Sequence, residues 1–301
     1  MPVDSPYSQL LAETPVREHS IDVLGARTHY WDYGPEDAAT TIVVVHEYRG
    51  EHHGLEPVVA HLRGLRIISP DLPAFGLSGP LPGRAHDIDA YSDWLAAFID
   101  ALGLRGAAVI LGHSFGSIVV SAALARGLGA PKLVLINPIA APALEGPNRL
   151  GSLVTLGFYR VARALPGRIG RALLSARPIV RGMSAFLVQT PDRALRRWIH
   201  DQHAAYFSAY ANRDTVVQGF EASISNDVSM FAAKIPIPTL LIGADRDPIT
   251  SVADQRRLAG LFPDASLTVL PGVGHLVHYE KPREAAAAIV AFLGDGRVAG
   301  A

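Results

Sequence analysis

The chain has 301 residues, 49% of them hydrophobic and 18% charged, with a formal net charge of −1. That is enough apolar side chain for one sizeable core, alone or with an inserted subdomain, and it excludes disorder as the main state. The near-neutral balance gives no chain-wide pull toward nucleic acid or an anionic membrane, and the lack of cysteine excludes disulfides, thiolate metal sites and a cysteine nucleophile.

The opening stretch MPVDSPYSQLLAETPVREHS has no basic segment followed by an apolar one. No run of about 18 residues anywhere is free of charges and turn formers. The expectation is a soluble, cytoplasmic protein without a membrane span. After this polar arm, two short strand-like runs flank Leu24-Gly25-Ala26 and read as an antiparallel entry hairpin.

From Thr41 the pattern changes to short, continuous apolar and β-branched runs: Thr41 to Val45, Ala107 to Leu111, Lys132 to Ile136 and Thr239 to Ile242. Such runs suit strands buried on both faces. Between and after them lie helical stretches, Ile88 to Leu102, Phe115 to Arg126 and Arg283 to Leu293. Alternating strands and helices predict a mostly parallel, helix-covered sheet. The alternation fails between about Ala140 and Lys234, where Gly146-Pro147, Pro166-Gly167, Pro178 and Pro191 interrupt helical patterns. That stretch reads as an inserted helical cap.

Val109-Ile110-Leu111-Gly112-His113-Ser114-Phe115-Gly116 carries the strongest chemical signal: a buried strand that turns sharply into a helix around a serine. Glycines on either side relieve collisions at a strained turn, which leaves the hydroxyl exposed above the sheet. The N–H groups of the following helix favour negative charge developing at the same place, which makes Phe115 N–H a candidate oxyanion donor. A serine hydroxyl needs an imidazole to take its proton and a carboxylate to hold that imidazole. His275, after the strand-like run Leu267 to Leu270 and the loop Gly272-Val273-Gly274, is placed for the first task; Asp245 and Asp247, after Leu240-Leu241-Ile242-Gly243, both stand where the carboxylate belongs.

These residues resemble the α/β-hydrolase superfamily, its serine-nucleophile branch with an inserted helical cap. Further stretches are similar to that family in the same order: Val45 to Gly50, Asp71 to Ser78, Gly243 to Thr250 and Gly274-His275. The resemblance covers residues 16 to 139 and 235 to 295. It implies an α/β fold whose mostly parallel wound sheet carries the cap after the sixth strand, with a core of residues 1–139 and 235–301 and a cap of residues 140–234. It also implies a triad of Ser114, His275 and Asp247, since family members carry the acid directly before a proline or apolar pair such as Pro248-Ile249. Asp71 and Glu280 read as structural, the first in its own turn and the second capping the last helix. Serine rather than aspartate at 114 argues against the haloalkane dehalogenase and epoxide hydrolase branches.

The chain departs from the family pattern at Glu47, where the resemblance implies glycine after His46. By position Tyr48 gives the second oxyanion N–H, and a carboxylate beside it would repel an oxyanion. Two readings follow: Glu47 points away and pairs with Arg49 or a histidine, or it sits in the pocket with a raised pKa as a general acid or base. His46, His113 and Trp198 are expected to contact substrate. The crowded His46 to His53 stretch lacks the spacing of a helical metal site, and acyl transfer on a serine calls for no metal and no cofactor.

Between Glu145 and His200 stand ten arginines against only Glu145 and Asp192. Such charge is ordinarily a solvated face, or else a surface for an anionic group or carrier. Together these features predict a hydrolase acting on a small, apolar or acyl substrate. The second reading keeps the fold but makes the reaction carbon–carbon cleavage, a lyase or a cyclase step that uses Glu47. A non-catalytic receptor is disfavoured by the complete set of triad residues.

Overall fold

The eight strands form one sheet in the order β1-β2-β4-β3-β5-β6-β7-β8, in a computed structural model that describes residues 5–142 and 149–294. In chain order the elements are α1 (Ser8–Ala12), β1 (Val16–Val23), β2 (Ala26–Tyr33), β3 (Thr41–Val45), α2 (Glu56–Val59), β4 (Arg66–Pro70), α3 (Ile88–Ala101), β5 (Val109–His113), α4 (Phe115–Ala125) and β6 (Leu133–Ile136). There follow α5 (Arg149–Ala164), α6 (Gly167–Leu174), α7 (Arg177–Leu187), α8 (Arg193–Tyr206) and α9 (Arg213–Ile224). The chain then returns through β7 (Thr239–Ala244), α10 (Val252–Ala259), β8 (Ala265–Leu270), α11 (Val277–Glu280) and α12 (Pro282–Gly294).

The entry hairpin forms as expected, β1 against β2 with Val23 opposite Ala26, and β2 continues antiparallel onto β4. Every later pairing is parallel. The central strands β5, β6 and β7 are buried along their whole length, which is why they read as continuous apolar runs rather than alternating ones. One core layer packs α3 and α4 against one face of the sheet, and the other packs α2 and α12 against the opposite face.

Among the described residues, five α-helices, α5 to α9, and two short 3-10 turns are inserted between β6 and β7. The prolines expected to interrupt the helical pattern fall at the breaks between these helices. Pro166 is the N-cap residue of α6, Pro178 lies in the first turn of α7, and Pro191 stands between α7 and α8, where a missing N–H costs no helical hydrogen bond. Gly146-Pro147 and Glu145 lie outside the described residues. Among the described residues, no helix is long and apolar enough to cross a membrane.

Asp71 holds the loop after β4, as expected. Its Oδ1 accepts from the backbone N–H of His52 at 2.9 Å and lies 3.0 Å from His52 Nδ1, while Oδ2 accepts from Leu77 N–H at 2.8 Å. Glu280 does not cap α12: its Oε1 accepts from Gln189 N–H at 2.7 Å, across the gap between α11 and the α7–α8 linker. Burial pushes its carboxyl above the usual range.

His52 is buried between Asp71 and Glu51, with its Nδ1 3.0 Å from a carboxylate oxygen of each. Burial alone would lower its pKa, but the hydrogen bonds to Asp71 and Glu51 raise it to about 9 from its ordinary 6.5. A folded-state pKa above the unfolded one stabilises the fold fully below the unfolded value, and that contribution is lost as pH rises through the folded one. The melting temperature should therefore fall by several degrees between about pH 6.5 and about pH 9. In His52→Gln this part of the slope should vanish, which calorimetry on both proteins across that range checks.

Candidate active site

β5 ends at His113 and α4 begins at Phe115, so the whole reversal falls on Ser114, with φ 51° and ψ −117°. A serine with positive φ is strained and must be held there by its surroundings. The strand runs two residues past the expected Leu111, which leaves no spare residue in the turn. A Cβ on Gly112 would lie 2.6 Å from the Gly116 carbonyl oxygen, and one on Gly116 would lie 2.2 Å from that of Val45. Both positions therefore require glycine, and the start of α4 passes directly under the end of β3. As the first residue of α4, Phe115 has an N–H with no intrahelical acceptor, at the positive end of the helix dipole.

His275 Nε2 lies 2.8 Å from Ser114 Oγ, and His275 Nδ1 lies 2.9 Å from Asp247 Oδ2. Asp247 Oδ1 accepts from the N–H groups of Ile249 at 2.8 Å and Thr250 at 3.2 Å, and Oδ2 also accepts from Asn137 Nδ2 at 3.0 Å. Burial would raise the Asp247 pKa, but His275 and the two backbone donors hold it below the ordinary carboxylate value. Of the two aspartates in this loop, Asp247 is the one beside His275. Asp245 instead accepts from Gly272 N–H at 2.7 Å and supports that turn. Asn137, at the end of β6 with φ 43°, was not singled out by sequence. An Asn-Pro pair after a buried strand is a turn signal, but nothing in it points to a carboxylate so far along the chain.

The loop after β3 brings Tyr48 to the same end of the sheet. Gly50 N–H donates to the Glu47 carbonyl at 3.1 Å, closing a turn in which Arg49 takes φ 65°. This conformation favours glycine, and Arg49 is held in it by its side chain. Its guanidinium, fully buried, donates to the carbonyls of Phe207 at 3.0 Å and Leu174 at 2.9 Å and to Tyr159 Oη at 3.3 Å. Both carbonyls lie at helix C-termini, of α8 and α6, whose dipoles favour a cation. His46 accepts Leu72 N–H on Nε2 at 2.9 Å, so its proton is on Nδ1, which donates to the Glu47 carbonyl at 2.8 Å. Contrary to expectation, His46 has no ring nitrogen left for a substrate; it fixes the loop.

Glu47 takes the first of its two expected orientations, and its partner is a histidine rather than Arg49. Its carboxylate is seated over Gly50 and Gly54, where added Cβ atoms would come within 2.5 and 2.9 Å of it, and Oε2 lies 3.2 Å from His113 Nδ1. The expectation of a raised pKa fails. Burial does push the carboxyl up, but the hydrogen bond from His113 holds it below the usual range. His113 is fully buried, with Nε2 3.5 Å from the His275 carbonyl, so it lies behind the nucleophile and not in contact with substrate space. Burial keeps the neighbouring His278 neutral.

Trp198 also departs from its expected role. It packs edge-on against Tyr7 and Tyr279, in an apolar cluster with Val188, Ile199 and Leu276, and so fastens α8 to α11. His200 and His203 of the same helix converge on Ser184 Oγ, at 2.5 and 2.7 Å. The Tyr48 ring has the rings of Phe75, Phe115, Tyr159 and Phe220 around it at centroid distances of 5.9 to 6.2 Å, the last two stacked on each other at 3.9 Å. Ser114 is 9% exposed and His275 3%. Each of the nine arginines from Arg160 to Arg197 is exposed, which is the solvated face expected of such charge.

The family model described as "Alpha/beta hydrolase family" matches residues 42–289. N-formylmaleamate deformylase of Pseudomonas putida is 26% identical over 278 residues, 87% of this chain and 90% of that protein. Epoxide hydrolase A of Mycobacterium tuberculosis is 23% identical over 316 residues, covering 92% and 97% of the two chains. Among solved structures, the enol-lactonase from Burkholderia xenovorans LB400 superposes with a TM-score of 0.75 at 19% identity, over 92% of this chain and 100% of that one.

Because the elbow depends on the approach of α4 to β3, Gly116→Ala should destabilise the fold by about 2 kcal/mol or more, as overpacking against fixed backbone does. Urea unfolding of the two proteins measures this. An unchanged midpoint would mean that the close approach to the Val45 carbonyl is not a fixed feature of the fold.

Proposed function

Because this chain belongs to the alpha/beta hydrolase family, we propose that it is a serine hydrolase that cleaves an ester, thioester, lactone or related acyl substrate through an acyl-enzyme on Ser114. The observation that carries this reading is the continuous relay from Ser114 Oγ through His275 to Asp247, at 2.8 and 2.9 Å. In the forward step Ser114 Oγ attacks the acyl carbon while His275 Nε2 takes its proton. Asp247 fixes the Nδ1–H tautomer and balances the imidazolium that forms. The oxyanion is met by the N–H groups of Phe115 and Tyr48. His275 then returns the proton to the leaving group, and water, deprotonated by the same nitrogen, releases the acyl group from Ser114.

Residues 140–234 act as the cap over a core of residues 1–139 and 235–301, and they set the substrate class. Tyr159 of α5 and Phe220 of α9 join Tyr48 beside the elbow, which favours an apolar or aromatic acyl group. The exposed arginines of the insertion give its outer surface a positive charge that suits an anionic group or a carrier. The similarity to N-formylmaleamate deformylase agrees with acyl transfer to water, since removal of a formyl group is such a reaction. A serine at 114 sets the chain apart from chemistry that needs a carboxylate nucleophile, despite the similarity to an epoxide hydrolase.

A fluorophosphonate probe should label the parent protein at Ser114 and leave Ser114→Ala unlabelled, as located by peptide mass spectrometry. Asn137→Ala removes one donor from Asp247, so it should still label at Ser114 but roughly tenfold more slowly. A folded parent that resists the probe, or labelling at another serine, would remove the basis for acyl-enzyme chemistry. An unchanged rate in Asn137→Ala would remove that residue from the relay.

A further inference from the structure

Behind the nucleophile, Glu47, His113 and His278 bring one carboxylate oxygen and two imidazole nitrogens within 4.8 Å of one another. His278 is 0% exposed, and its ring lies 4.0 Å from that of His113. Neither of its ring nitrogens has a hydrogen-bond partner among the described residues. A neutral imidazole carries a donor and an acceptor, and burial with both unmet is costly. A proton shared between Glu47 and His113 would satisfy those two residues and leave His278 as it is. The nearby Glu51, His52 and His53 also gather three such groups, but hydrogen bonds among themselves and to Asp71 account for them.

We propose that Glu47, His113 and His278 form a binding site for one divalent transition-metal ion of the zinc class. Two imidazoles and a carboxylate are the nitrogen and oxygen donors such ions take. His113 has the supporting contact expected of a metal-bound histidine: its other nitrogen, Nε2, faces the His275 carbonyl at 3.5 Å. His203 of α8 also has a buried, unpartnered Nε2 and has its Nδ1 2.7 Å from Ser184 Oγ, but it lies outside this three-residue group. The ion enters past Glu47, whose side chain is 8% exposed.

The ligands come from the three segments that carry the reactive groups. Glu47 precedes Tyr48, His113 precedes Ser114, and His278 follows His275 by one turn of chain. An ion held there ties the oxyanion loop, the elbow and the base together from behind. It takes no part in the acyl cycle, so the site stands independently of the reaction assigned to Ser114.

Untagged protein stripped with a chelator and dialysed against Zn(II) should retain about one ion per chain by elemental mass spectrometry. Its melting temperature should rise by several degrees, and Co(II) in place of Zn(II) should give visible d–d bands. His278→Phe keeps the ring volume and removes both orphaned nitrogens, so the stripped variant should melt no lower than the stripped parent. It should also retain no ion and show no rise with Zn(II). Should that variant not fold, Glu47→Gln, which keeps an acceptor for His113, is read by the same two measurements. A parent that retains no ion would overturn the site, and so would a folded variant that retains the ion with the parent's thermal shift.

Discussion

One missing atom lets two backbones meet: a Cβ at Gly116 would sit 2.2 Å from the Val45 carbonyl oxygen. Val45 pairs with Gly112 across β3 and β5, so Gly112, Gly116 and the end of β3 share one crossing. From that crossing follow the positive φ of Ser114, the presentation of its hydroxyl to His275 Nε2, and the approach of the Phe115 amide to the loop that bears Tyr48. No side-chain interaction elsewhere could restore this geometry if the backbones were held apart, because the strain at Ser114 is imposed by what surrounds it.

The same kind of carboxylate–imidazole pair appears twice with different outcomes. His275 and Asp247, and His52 and Asp71, are both buried pairs at hydrogen-bond distance. What separates them is the rest of the ring's surroundings. His275 turns Nε2 to Ser114 Oγ, whereas the ring of His52 is stacked on Trp31 and its proton is held by two carboxylates. A histidine gripped so firmly is a fixed cation in a loop. One held on a single side, with a hydroxyl on the other, keeps a ring nitrogen facing that hydroxyl.

The sheet was legible because strands buried on both faces write themselves as continuous apolar runs, and the elbow because glycine spacing is a local steric demand. The order serine, aspartate, histidine, and the choice of Asp247 over Asp245, came from the family resemblance; Asp247 and His275 stand in the loops after β7 and β8. Asn137 was not legible, since its partner Asp247 stands 110 residues away. Glu47 was noticed as an oddity, but its direction depends on His113, 66 residues on, and on two glycines whose only signal is the room they leave. Trp198 was misplaced because an aromatic residue on an amphipathic helix reads alike whether it faces a ligand or a neighbouring tyrosine. The prolines of the insertion were legible as breaks, since a proline is tolerated between helices or in a first turn but not in a helix interior.

Arg49 gives the insertion a mechanical meaning. Its guanidinium is the rivet between α6, α8 and the loop that carries Tyr48, and its backbone takes a conformation that an arginine does not choose unaided. Any swing of these helices away from the sheet has to break its bonds to Phe207, Leu174 and Tyr159 together, and in doing so frees the turn that aims the Tyr48 amide. One buried side chain thus couples the placement of α6 and α8 to the conformation of the loop after β3, so a change in either is felt by the other.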